Sequence, residues 1–165
     1  MVVKLIFGVC IVAFTTLCGY LFSRKFRRRK DFLLQFKEFN ERFLAEITYQ
    51  RRPINAFVAS YSYKGEFDGL LKVYSNVLDK RENFASVLDI KKDYPFLKED
   101  ERQIVLDYFL MLGKGDSLSQ KGYFSATKER LEKAYYVAES DCKKYVNLYI
   151  KMGFLCGLML LILLI

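Results

Sequence analysis

Apolar positions recur at helical spacing over most of the chain, and the pattern is most sustained toward its end. Phe124, Leu131, Ala138, Tyr145 and Met152 repeat every seven residues. Lys128, Tyr135, Cys142, Tyr149 and Cys156 follow each of them by four, and all but Lys128 are apolar or aromatic. Such a seam predicts one helix from about Leu118 to Ile165. Its opposite face carries Glu129, Arg130, Glu132, Lys133, Glu139, Lys143 and Lys144, so this part is amphipathic. From Met152 to Ile165 no residue is charged. The same helix is expected to leave a cytosolic bundle and enter a bilayer, linking the two rigidly.

The start of the chain has a second apolar stretch. Leu5 to Phe22 is an uncharged run of 18 residues. With Val2, Val3 and a snorkelling Lys4 it is long enough to cross roughly 30 Å of hydrocarbon as a helix. A cleaved signal peptide is the competing reading. Only Lys4 precedes the run, no A-x-A-like site closes it, and Leu17 before Cys18 is bulky for a lipoprotein site, so a retained anchor is favoured.

Between the ends, shorter helices are predicted. Phe32, Phe36, Phe39, Phe43 and Ile47 form a stripe on a helix expected to start near Asp31, a candidate cap. A turn is expected at Arg51-Arg52-Pro53, since the residue before proline is pushed out of the helical region. Further helices are predicted over about Pro53–Ser62, Glu66–Lys80 and Lys98–Leu112, with a break at Gly65 and one or two turns within Asn83–Leu88. Glu99, Asp100 and Glu101 suit the positive end of the last of these, and Gly113 its left-handed cap. No alternating strand pattern and no internal repeat is evident. The fold class is therefore all-α: a cytosolic helical bundle between two terminal transmembrane helices, with the long C-terminal helix continuing into the membrane. The expected segments are a transmembrane helix over 1–23, a basic block over 24–30, the bundle over 31–145 and a second transmembrane helix over 146–165.

Charge sharpens this outline. The net charge of +8 resembles a nucleic-acid signal until it is located. Arg24, Lys25, Arg27, Arg28, Arg29 and Lys30 fall within seven residues, while Asp31 to Lys151 holds 20 Lys and Arg against 19 Asp and Glu. The body is nearly neutral, and no nucleic-acid partner is expected. Behind an apolar span the block sets topology instead: it stays in the cytoplasm with the N-terminus outside, and it attracts anionic headgroups of membrane lipid. Met152 to Ile165 is 14 residues, roughly 21 Å of helix, short of a ~30 Å core. Counting from Val146 with Lys151 snorkelled gives 20 residues, roughly 30 Å. Tyr145, Tyr149 and Lys151 are then the expected membrane-interface residues, and both termini lie outside.

Candidate chemistry is sparse. The chain has no His and no CxxC spacing, so no metal site is expected, and Cys10, Cys18, Cys142 and Cys156 read as small buried hydrophobes. Gly113-Lys114 fails as a phosphate-binding loop: Tyr108 stands where the first glycine belongs and Gly115 where Ser or Thr belongs. No carboxylate pair stands out as an acid and base. No cofactor and no catalytic residue is expected.

The layout resembles the stage III sporulation protein AB family over nearly the whole chain. The resemblance is carried by Lys4-Leu5-Ile6, Thr15-Thr16, Gly19-Tyr20 and the basic block. It continues through Leu44-Ala45-Glu46-Ile47-Thr48-Tyr49, Pro53-Ile54, Ala56, Leu112-Gly113-Lys114 and Gly122-Tyr123-Phe124, and ends with Met152-Gly153-Phe154-Leu155-Cys156-Gly157-Leu158 into the terminal apolar run. It implies a cytosolic domain similar to those of type II secretion and type IV pilus inner-membrane platform proteins. It also implies a place in the membrane complex joining mother cell and forespore, in the mother-cell membrane around the forespore. The implied partners are a secretion-type ATPase and the other membrane and ring-forming subunits, with oligomerisation open. Two departures stand out: Asp116-Ser117-Leu118-Ser119 replaces the expected Ser-Asp-rich turn, and inward positions are unusually rich in Phe and Tyr. The residues themselves also accommodate a generic membrane-anchored adaptor or regulator unrelated to secretion.

Overall fold

The computed structural model describes residues 2–49, 53–80, 83–112 and 117–164. Among these residues seven helices follow in order: α1 (Val2–Tyr49), α2 (Ile54–Ala59), α3 (Gly65–Lys80), α4 (Phe84–Val87), α5 (Ile90–Asp93), α6 (Glu99–Met111) and α7 (Ser117–Leu164). No strand occurs among the described residues. The expected turn at Arg51-Arg52, the Gly113 cap and Ile165 lie outside the described residues.

One expectation needs correction. Asp31 does not cap a new helix; it lies inside α1, which runs unbroken through the basic block. The physical reason is compositional. No Pro occurs before Pro53, and no Gly between Gly19 and Gly65, so nothing interrupts the helix. Lys and Arg are themselves good helix formers.

The chain divides into two compact units. One comprises Met1–Lys30 with Val137–Ile165, the other Asp31–Tyr136.

The 31–136 unit is held by an aromatic core. Phe32, Phe36, Phe39 and Phe43, three or four residues apart on α1, are each at least 97% buried. Phe36 meets Tyr108 edge-to-face at 4.9 Å, and Phe43 meets Phe124 the same way at 4.9 Å. Phe67 of α3 meets Phe32 at 5.4 Å, and Tyr108 meets Phe124 at 4.7 Å. Edge-to-face pairs are each worth about 0.5–1.5 kcal/mol beyond the area they bury. Leu70, Leu71, Ile104, Val105 and Leu131 fill the space between the rings.

Polar groups fix how these helices meet. The Asn40 side chain, wholly buried, donates from Nδ2 to the Phe124 carbonyl at 3.1 Å and ties α1 to α7. Gln35 pairs twice with Lys64: its Oε1 accepts from the Lys64 backbone N–H at 2.6 Å, and its Nε2 donates to the Lys64 carbonyl at 2.9 Å. That clamp holds the loop just before Gly65, which starts α3 at φ +62°, a left-handed conformation glycine adopts freely. Glu101 Oε2 accepts from the Lys98 backbone N–H at 2.9 Å and closes the start of α6. The Tyr74 hydroxyl donates to the Leu112 carbonyl at 3.2 Å and serves its other end.

Candidate membrane hairpin

The second unit is a pair of helical segments, the first part of α1 against the last part of α7. Both contain stretches long and apolar enough to cross a membrane, within Phe7–Thr48 and Ser119–Leu163. Only 17% and 11% of those stretches is buried in the protein, so they are not core helices wrapped by polypeptide. Phe7, Phe14, Phe22, Leu155, Met159, Ile162 and Leu163 stand exposed along them. An apolar surface of this extent has to be covered by something other than water.

Small residues let the two backbones approach. A β-carbon at Gly153 would stand 2.6 Å from the Thr15 carbonyl oxygen, and 3.3 Å from the Gly19 Cα. One at Gly19 would collide with the Tyr149 carbonyl oxygen, and one at Gly8 with the Leu161 side chain. At Gly157 it would meet Thr15 Oγ1 and stand 2.8 Å from the Val12 Cα. Gly153 and Gly157 form a GxxxG spacing, which in apolar helices marks close backbone contact where lipid supplies no hydrophobic drive for association. The seam predicted from heptad spacing did not single these glycines out, although GxxxG is visible in the sequence.

Hydroxyls along this contact are satisfied on their own helix. Thr15 Oγ1 donates to the carbonyls of Ile11 and Val12 at 3.1 and 3.0 Å, and Thr16 Oγ1 to that of Val12 at 2.8 Å. Ser23, wholly buried, donates to the Tyr20 carbonyl at 2.7 Å. No desolvated hydroxyl among these three is left for lipid to cover, which an apolar environment requires.

The six basic residues expected to act as one block divide into two kinds. Arg24, Lys25, Arg27 and Arg28 are exposed, and Lys30 is half-buried. Arg29 turns inward. Its side chain is 5% exposed, and its Nη1 donates to Asp141 Oδ2 at 2.7 Å. Position in the helix decides this: Ser23, Phe26 and Arg29 lie three apart on the face toward α7. Phe26, between the basic residues, stacks on Tyr145 at 5.0 Å and leans on Tyr149 at 5.8 Å. Tyr145 and Tyr149 are therefore half-buried against α1, while Lys151 is exposed. The Arg27 guanidinium lies over the Tyr20 ring at 5.1 Å, and the Lys144 ammonium over Tyr145 at 5.3 Å.

The cysteine expectation is also corrected. Cys10 and Cys156 are exposed and Cys18 and Cys142 half-buried, all four as free thiols. Glycine and threonine occupy the tight contact, and the cysteines fall on neighbouring or outer faces.

In the other unit, Ser86, Leu88, Ile90, Lys91, Arg102 and Leu106 contribute to a surface groove of about 460 Å³ between α4–α5 and α6. Its principal cation is internally matched: Arg102 donates to Glu99 at 2.9 Å and to the Pro95 carbonyl at 3.2 Å. No group of three or more Cys, Asp or Glu among the described residues is placed to hold a metal ion.

Comparison with known proteins places the chain. The family model for stage III sporulation protein AB matches residues 4–165. A Bacillus subtilis (strain 168) protein named stage III sporulation protein AB is 28% identical over 170 residues, covering 98% of each chain. No solved structure matches.

Proposed function

The chain belongs to the stage III sporulation protein AB family, and on that premise we propose that it is a non-enzymatic membrane platform subunit of a sporulation secretion or channel complex between mother cell and forespore. The hairpin unit holds it in the membrane, and the bundle presents a docking surface to a secretion-type ATPase and other subunits. The observation that carries this reading is the family match over nearly the whole chain, on a protein whose two terminal helices are each apolar and long enough to span. The work of such a subunit is positional: it contributes rigid helices and a surface rather than a reaction.

The basic residues beside the apolar stretch of α1 support a cytoplasmic location for the bundle, with both ends of the sequence outside. Tyr145, Tyr149 and Lys151 then lie at the headgroup level, and the membrane is that of the mother cell around the forespore. A fluorescent protein that matures only in the cytoplasm, fused after Ile165, should stay dark; bright fluorescence rejects the double span. The platform role is tested with tagged full-length protein, crosslinked and purified from sporulating cells. Recovery of a secretion-type ATPase or ring subunit is expected. Their absence under conditions that retain the protein in the membrane fraction leaves a membrane adaptor unrelated to secretion.

A further inference from the structure

We infer that the basic end of the hairpin is a two-helix collar for anionic phospholipid headgroups, to which α7 contributes alongside α1. The inference rests on the membrane reading above and adds a ligand class and a second set of residues to it.

Contact between the helices brings α7 cations to the level of the block. Phe26 on Tyr145 and Arg29 on Asp141 set the register. Lys144 therefore lies beside the block. The approach of Gly19 to Tyr149 and Gly153 sets Lys151 near the level of Tyr20. Arg24, Lys25, Arg27, Lys144 and Lys151 are all exposed. Arg24 and Arg27, three apart, share one side of α1; Lys144 and Lys151, seven apart, share one face of α7.

The unit's own acids do not neutralise this ring. Residues 1–30 contain no Asp or Glu, and residues 137–165 contain only Glu139 and Asp141. Asp141 is taken by Arg29 at 2.7 Å and Glu139 by Lys143 at 3.0 Å. Arg28, Arg29 and Lys143, each of which already has an interaction within the protein, are not counted in the collar.

The neighbouring surface distinguishes lipid from an acidic protein segment. Leu21, Phe22, Leu148 and Met152 are exposed immediately beside the cations. A phospholipid places its phosphate on the Arg and Lys heads and its acyl chains on these apolar side chains in one molecule. An acidic peptide would satisfy the charges and leave the apolar faces bare.

The test uses the full chain reconstituted in phosphatidylcholine bilayers with a trace of spin-labelled phosphatidylglycerol or, separately, spin-labelled phosphatidylcholine. The fraction of each label motionally restricted at the protein gives its relative association. The collar predicts a clear preference for phosphatidylglycerol that weakens as salt is raised. Lys144→Gln with Lys151→Gln should reduce it comparably to Arg24→Gln with Arg27→Gln, by about fivefold or more. Lys144→Arg with Lys151→Arg should retain it. Equal association of the two lipids with protein resident in the bilayer overturns the collar, leaves the membrane reading standing and favours an acidic protein partner. A preference untouched by the Lys144 and Lys151 changes overturns the α7 contribution. Loss in the Lys-to-Arg variant overturns the dependence on charge. Protein released from the vesicles by alkaline carbonate fails the membrane reading itself.

Discussion

Arg29 and Asp141, 112 residues apart in sequence, form a 2.7 Å ion pair at the base of the hairpin unit. Arg29 is nearly sealed from solvent while Asp141 keeps 25% of its side-chain exposure. Removing one member of a buried pair costs more than the pair is worth, because the other charge stays desolvated. Partial exposure of Asp141 moderates the effect here. Asp141→Ala is expected to destabilise the pairing of the two segments by about 2 kcal/mol, and Arg29→Met with Asp141→Leu to recover most of that. Hydrogen exchange of residues 20–30 and 137–150 in the full chain reads both effects. Unchanged protection in Asp141→Ala would show that the pair does not hold the register.

Glycines divide by what surrounds them. At Gly153 and Gly19 a β-carbon meets the opposing backbone, which cannot rotate aside. At Gly69 and Gly122, both inside helices, it meets nothing within 4 Å. Gly153→Ala should therefore loosen the hairpin and Gly153→Leu should separate it. Gly122→Ala should instead stabilise by up to about 1 kcal/mol through helix propensity alone. Disulfide crosslinking between cysteines introduced at Phe26 and Tyr145, in a background lacking the four native thiols, reports the first pair. Thermal unfolding reports the third. Efficient crosslinking in Gly153→Leu would refute the close-approach account.

Two core tyrosines should respond to Phe in opposite directions. The Tyr108 hydroxyl is fully buried and has no hydrogen-bond partner among the described residues. The Tyr74 hydroxyl is bonded to the Leu112 carbonyl. Tyr108→Phe is expected to stabilise by about 1 kcal/mol and Tyr74→Phe to destabilise by a similar amount. Denaturant titration of the two variants decides it, and the same sign for both would be the wrong outcome.

The same tyrosines set an alkaline limit. Burial pushes the Tyr94 hydroxyl up to about 12, with the Glu66 and Asp93 carboxylates adding to the shift. Burial raises Tyr108 well above the ordinary value, with neighbouring tyrosines contributing, and it raises Tyr74 and Tyr123 too. The unfolded chain loses these protons near pH 10 while the folded chain keeps them. The stabilising protons are thus fully bound in both states below about pH 10, and stability falls as pH rises above it. Tyr108 alone contributes a slope of about 1.4 kcal/mol per pH unit in that range. Circular dichroism of the full chain against pH should show unfolding beginning above about pH 10, displaced upward in Tyr108→Phe. A transition that ignores this substitution would remove Tyr108 from the account.

Much of the architecture was legible residue by residue. The spacing of Phe32, Phe36, Phe39 and Phe43 reported a core stripe, since a helix sums its apolar positions on one face whatever packs against it. The uncharged run near the start reported a membrane-length helix almost by count alone, while the one at the end reached that length only with Lys151 snorkelled and the count taken from Val146. The continuity of α1 was less visible, because a charge block looks like a boundary although its residues favour helix. The division of the basic block was not visible at all. Arg29 lies on the same helix face as Ser23 and Phe26, but that this face meets α7 and sets Arg29 against Asp141 is decided only in the folded unit.

Composition and periodicity by themselves determined that this protein is of the all-α class, that its middle carries an aromatic core, and that its ends are apolar with a basic block beside one of them. These are properties of single helices, set by which side chains share a face. Only the tertiary structure decided the rest: that Gly19 meets Gly153, that Phe26 lies on Tyr145, that Arg29 is spent on an internal ion pair, and that Lys144 and Lys151 join the exposed cations of α1. Each of those depends on the register between two segments far apart in the chain, and register follows from close backbone packing and charge pairing between them.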